Sequence, residues 1–239
     1  MFKKTIFITL LLIVLSTCLI AKGVDPLWLK AKEMVEKDWN LVPGKIKILV
    51  TTSGAQSATI EIHIKIVETE EGLEAEFIQG LMDGEEMTAD NPIVAQMLAQ
   101  DFTPTKTDIF FEDPKEMKLK KAKGTKDIEG IKCVMFKYAK TVTDPDGKEM
   151  EVVGTMYIDK ATGEPVLDEN TIFPLPDMVT AMANSTFYQV NRKGHLISHK
   201  VLNETNIEFA GQKMETSSKS TMLNHFRYTP PSEDDMFEE

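Results

Sequence analysis

Four histidines, two cysteines and a scatter of serines and carboxylates are the residues of this chain that could do chemistry. His195 and His199 fall four apart in a segment that reads as one strand. That places them on one face about 13 Å apart at strand rise, too far to share one metal ion. His63 stands on the polar side of another strand, and His225 stands alone, so surface histidines are the plain reading. No H-E-x-x-H, C-x-x-C or facial triad is present, and no metal site is expected. Ser53 and Ser57 flank Gly54-Ala55-Gln56, but the G-x-S-x-G of a nucleophile elbow is missing, so the segment reads as a turn. Asp144, Asp146 and Glu149 lack EF-hand spacing and read as a hairpin loop rather than a calcium site. Asn184-Ser185-Thr186 and Asn203-Glu204-Thr205 match glycosylation sequons, a coincidence in a bacterial export context. Nothing joins a nucleophile to a base, so no enzyme and no cofactor is expected.

The compartment is written at the start. Lys3 and Lys4 precede an apolar run over residues 6–15, followed by small residues, which is the form of an export signal over 1–23. Two endings fit. Leu15-Ser16-Thr17-Cys18 resembles a lipobox, in which Cys18 would be acylated and would anchor the chain to a membrane. Ala21-Lys22-Gly23 fits ordinary signal cleavage. Either one places the mature chain in the periplasm or on an envelope membrane, away from nucleotide cofactors.

About 215 residues then remain, enough for one domain over 24–229 with an acidic tail over 230–239. The formal net charge is −11, and loss of Lys3, Lys4 and Lys22 takes it to −14. Such a chain repels nucleic acid. Only Cys133 surely belongs to the mature chain, so a structural disulfide is not expected. Fourteen methionines suit either ordinary core filling or a pocket for varied greasy ligands.

The elements that must position these residues are mostly strands. Asp25 caps and Pro26 starts an amphipathic helix that ends near Trp39. Over residues 59–67, Ile60, Ile62, Ile64 and Ile66 alternate with Glu61, His63 and Lys65, which gives a strand with one dry face. Segments 45–52 and 73–79 flank it as a meander. Asn91-Pro92 opens a second helix through Met97. Strands are expected at 108–112, 115–121, 131–140, 149–159 and 166–172, a third short helix at 177–183, and strands again from 186 to 228. The expected fold is mainly β (α+β). It is a single curled antiparallel sheet of about eleven strands, an open or half barrel, with about three short helices filling an apolar concave face.

The run Met156-Tyr157-Ile158-Asp159-Lys160-Ala161-Thr162-Gly163-Glu164-Pro165 resembles a strand-and-turn motif, W/Y-x-D-x-x-T-G-x-P, of the LolA/LolB lipoprotein carriers and the related RseB stress sensor. The ending Asn224 to Pro231, followed by Phe237, is similar too. The resemblance implies an open sheet closed by a helical lid, binding lipoprotein acyl chains or another lipid. The chain's only arginines are Arg192 and Arg227, and neither is matched to the arginine with which those carriers fasten their lid. On this reading the protein is a monomeric carrier in lipoprotein sorting. The alternative is an RseB-like sensor or interaction module using the same cavity. The candidate cavity residues are Ile60, Ile62, Ile64, Ile66, Val134, Phe136, Tyr138, Met156 and Ile158, with Met97 on the lid.

Overall fold

A computed structural model describes residues 24–54, 57–70, 72–104, 109–114, 116–143 and 147–229. The expected leader 1–23 with Cys18, the tail 230–239 and the loop acids Asp144 and Asp146 lie outside the described residues.

Helix α1 spans Pro26–Asp38, with Asp25 as its cap: the Asp25 carboxylate accepts from Leu27 N–H at 2.9 Å, and Pro26 stands at the first turn. It buries Trp28, Ala31, Val35 and Asp38 along one stripe. Strands β1 (Leu41–Val42), β2 (Lys45–Gly54), β3 (Ala58–Thr69), β4 (Gly72–Met82) and β5 (Glu85–Met87) follow. Helix α2, Pro92–Leu98, is capped by Asn91, whose side chain accepts from Ile93 N–H at 3.0 Å. Beyond a 3-10 turn at Ile109–Phe111 come β6 (Lys120–Lys121), β7 (Lys126–Ile128), β8 (Ile131–Thr143), β9 (Glu149–Asp159) and β10 (Pro165–Phe173). The chain closes with β11 (Val179–Val190), β12 (Leu196–Phe209), β13 (Gln212–Leu223) and β14 (Phe226–Arg227).

Twelve of these strands form one antiparallel sheet, in the order β5-β4-β3-β2-β13-β12-β11-β10-β9-β8-β6, with β7 also on β8. The sheet is open: β5 and β6 do not meet. β1 and β14 make a separate two-stranded ribbon. The pairing of β2 with β13 joins an early meander to a late one, so the two halves of the chain form a single sheet.

Both helices pack on the same face. The register carries Met87, Gly80, Ile62, Ile48, Ser220, Val201, Thr186, Asp168, Met156 and Phe136 across the sheet in one row, and paired residues share a face. At one end of this face α1 covers β8 and β9, with Trp28 between Phe110 and Phe136 at ring-centroid distances of 4.7 and 5.5 Å. At the other end α2 lies over β2–β4, where Ile62, Ile64, Ile66 and Val94 are buried together. On the opposite face Cys133, Tyr157 and Leu167 make a third, smaller cluster.

Three expectations are corrected. The described helices number two, because Asp177-Met178 is a turn and residues 179–183 begin β11: Val179 pairs with Ile207 and Met182 with Thr205. Ladder hydrogen bonds to β12 outweigh a short, weakly amphipathic helical pattern. The segment 109–111 is not a strand. Ile109 and Phe110 are both buried in a 3-10 turn packed under Trp28. Of 115–121 only Lys120–Lys121 is strand. Finally, the helix-bearing face is not apolar throughout, as its central strands show.

Candidate functional site

The helix-bearing face changes character along its width. One row runs Met82, Ile60, Val50, Ser218, Asn203, Asn184, Asn170, Gly154, Tyr138. A neighbouring row contains Thr52, Thr216, Thr205 and Met182. The strip over β10–β13 is therefore built of amides and hydroxyls, and Ser218, Asn203, Asn184 and Asn170 are all half-buried. Adjacent members of the strip bond directly: Asn184 Nδ2 donates to Asn170 Oδ1 at 3.3 Å, and Asn170 Nδ2 to Asp168 Oδ2 at 2.9 Å.

At its β10 end the strip runs into a cavity of about 400 Å³ whose walls include Val35, Tyr138, Asp168, Asn170, Thr186 and Tyr188. Asp168 and Tyr138 are 7% and 2% exposed. The Tyr138 hydroxyl lies 2.9 Å from each Asp168 oxygen and donates to the carboxylate. A buried carboxylate needs such donors, because desolvation penalises its charge. Tyr138 reaches β10 from β8 by leaning across β9, over Gly154. A Cβ there would fall 2.4 Å from the Tyr138 Cζ and hydroxyl oxygen.

The C-terminus of α1 is clamped beside this cavity. Asp38, buried at its last turn, accepts from Leu196 N–H at 2.9 Å and from Arg227 Nη2 at 3.0 Å, and His195 Nδ1 lies 3.0 Å away. Arg227 also donates to Lys37 O at 3.3 Å and to Asn40 Oδ1 at 2.5 Å. The late arginine thus ties the first helix to the last ribbon.

The expected cavity residues divide into two sets. Ile60, Ile62, Ile64 and Ile66 belong to the cluster under α2, with Ile60 the least buried. Val134, Phe136, Tyr138, Met156 and Ile158 belong to the cluster under α1. Of the nine, Tyr138 alone lines the 400 Å³ cavity. Met97 is half-buried on α2, against the isoleucine set. Apart from the chance sequons at Asn184 and Asn203, no motif marked Asp168, Asn170, Asn184, Asn203 and Ser218, since only strand register brings them together.

The histidines are less alike than their spacing implied. His195 precedes β12 and faces Asp38, whereas His199 falls at a register shift in β12 and meets Phe187 edge-on at 6.4 Å. His195 lies in the turn before β12, outside the strand's alternation, so the two rings meet different partners. His63 Nε2 lies 2.6 Å from Glu61 Oε1. Among the described residues no group of three or more His, Cys, Asp or Glu could hold a metal ion. Burial pushes the Cys133 thiol up to about 11, with Asp159 and Asp127 adding to it. No helix of the described residues is long and apolar enough to cross a membrane.

No protein-family model matches the chain, and no curated protein matches it. Two solved structures are similar at a distance. One is a crystal structure of MucB in complex with MucA(peri), at 12% identity, covering 85% of this chain and 98% of that one, with a TM-score of 0.23. The other is the MucA/MucB complex of Pseudomonas aeruginosa, at 10% identity, covering 86% and 100%, with a TM-score of 0.23.

Proposed function

We propose that the protein is an exported, non-catalytic binding protein of the cell envelope whose ligand is an amphiphile, a lipid or the acylated end of a lipoprotein. The supporting observation is the row in which Met82, Ile60 and Val50 pass into Ser218, Asn203, Asn184 and Asn170 on one face. An acyl chain belongs on the isoleucine half and a polar headgroup on the amide and hydroxyl half.

The two covers differ in strength. Helix α1 has thirteen residues, four of them buried, and is clamped through Asp38. Helix α2 has seven residues, of which only Val94 is fully buried. Its hold is worth a few kcal/mol, at about 1.5–3 kcal/mol for a fully buried aliphatic side chain. An acyl chain gains about 0.8 kcal/mol per buried methylene, so ten contribute about 8 kcal/mol before ordering costs. Of the two covers, α2 is therefore the one that an acyl chain displaces more readily, and it is the lid that yields.

Fluorescent lysophospholipid and a headgroup-free alkyl probe of equal length test this. Asn203→Ala is expected to weaken the lysophospholipid at least tenfold and leave the alkyl probe nearly unchanged. Met97→Asp alters retention of both. Equal loss of both probes on Asn203→Ala, or no binding by the unmodified protein, removes the reading.

A further inference from the structure

The face without helices carries a feature that ligand binding does not use. In a chain with 38 acidic and 27 basic residues, lysines gather on the adjacent strands β3, β2, β13 and β12. Lys45 pairs with Lys65 across β2–β3, and Lys47, Thr221 and Lys200 follow one another in one row. Leu49, Lys219 and Leu202 form the next row. Lys65 is met by Glu76 at 3.1 Å and Lys200 by Glu129 at 3.0 Å. Lys45, Lys47 and Lys219 make no ion pair or side-chain hydrogen bond among the described residues. Leu49 and Leu223 stand between them, each 39% exposed. Like charges on neighbouring strands repel, and Glu61, opposite Leu49 and lining the same shallow pocket as Lys47 and Lys219, offsets part of that repulsion and leaves the patch net positive.

We infer that residues 230–239 of the same chain dock on this lysine patch. The segment reads Pro-Pro-Ser-Glu-Asp-Asp-Met-Phe-Glu-Glu, with five acids, no base and an apolar pair, Met236-Phe237. Its charges complement Lys45, Lys47 and Lys219, and its apolar pair complements Leu49 and Leu223. Tyr228 N–H donates to Asn40 O at 3.0 Å, and Gly44 N–H to Asn224 O at 3.2 Å, so the segment starts beside the entrance to β2; Tyr228 itself is buried in the cluster under α2, so the segment must turn round the end of the sheet to reach the lysines. Asn40 to Lys45 spans at most about 17 Å, and Lys219, four residues down β13 from Leu223, lies about 13 Å further. Ten residues reach about 33–36 Å when extended. Tethering also raises the segment's effective concentration to millimolar, which a free acidic peptide would have to match. The inference is independent of the ligand on the opposite face.

Amide NMR shifts of the protein and of a variant stopped after Thr229 decide it. Truncation is expected to move the amides of Lys47, Leu49, Lys219 and Thr221. A synthetic peptide of residues 230–239 restores them at millimolar concentration. The restoration is lost near 1 M salt, where the screening length falls to about 3 Å. The exposed double substitution Lys47→Glu and Lys219→Glu lowers peptide affinity at least tenfold. Unmoved β2 and β13 amides, or shifts confined to the helix-bearing face, overturn the inference. Equal binding of phosphatidylglycerol vesicles by the full and truncated proteins through these lysines overturns it too, because the patch would then be open.

Discussion

Gly154→Ala probes the contact that shapes the cavity. Tyr138 crosses β9 above this glycine, and an added Cβ would lie 2.4 Å from its Cζ and hydroxyl oxygen and 2.7 Å from Cε1. Ordinary contact needs more than 3.4 Å, so the ring must move by about 1 Å, in a cluster where Tyr138 is 2% exposed. That movement lengthens both 2.9 Å contacts to Asp168 and leaves a buried carboxylate short of a donor. Overpacking costs about 1–3 kcal/mol, and a hydrogen bond to a charged group is worth about 1.5–3 kcal/mol. These losses overlap, so about 3 kcal/mol is expected. At about 2–4 °C per kcal/mol for a chain of this size, Tm falls by about 6–12 °C. Urea denaturation of four proteins completes the test: the parent, Gly154→Ala, Tyr138→Ala and the double variant. In the Tyr138→Ala background the same Gly154→Ala change should be neutral or slightly stabilising, because alanine costs less backbone entropy than glycine. A neutral Gly154→Ala in the parent, or an equal cost in both backgrounds, would refute the placement of Tyr138 over β9.

Three further outcomes are expected. With its thiol raised to about 11, Cys133 should alkylate at pH 8 about a hundredfold more slowly than in the unfolded chain, where cysteine lies near 8.5; a comparable rate would contradict its burial. Burial holds the His225 imidazole below its ordinary value, although the Ser198 carbonyl, 3.0 Å from Nε2, favours the charged form. The unfolded chain then takes up this proton first, so stability present above about pH 6.5 is lost as pH falls through the folded value; His225→Gln should flatten the slope of Tm against pH there, and an unchanged slope would count against it. Trp28→Ala removes a 0% exposed indole packed at a tilt against Phe110 and Phe136 and should cost about 3–5 kcal/mol in chemical denaturation, with a loss under 1 kcal/mol showing that α1 is not anchored there.

What was legible in the sequence was local. The isoleucine alternation from Ile60 to Ile66 marked a strand and its dry face. Asp25-Pro26 and Asn91-Pro92 marked two helix starts, and both caps are formed. The errors came where packing overrode local pattern. Ile109 and Phe110 sit under Trp28 in a 3-10 turn, and β12 recruits 179–183 as strand. The polar strip was illegible for a different reason. Asn170, Asn184, Asn203 and Ser218 come from four strands, and nothing in their spacing announces that register places them side by side. Two of them, Asn184 and Asn203, were noticed only as chance sequons. The clamp on α1 joins Asp38 to residues 157 and 189 positions away, beyond any local signal.

Native mass spectrometry of the purified protein, with organic extraction of whatever accompanies it, tests the central claim most directly. The account predicts one amphiphile per chain, carrying both an acyl chain and a polar headgroup, and its release when Met97→Asp disturbs α2. A protein that flies at its bare mass, yields no lipid on extraction and takes up neither lysophospholipid nor alkyl probe would contradict it.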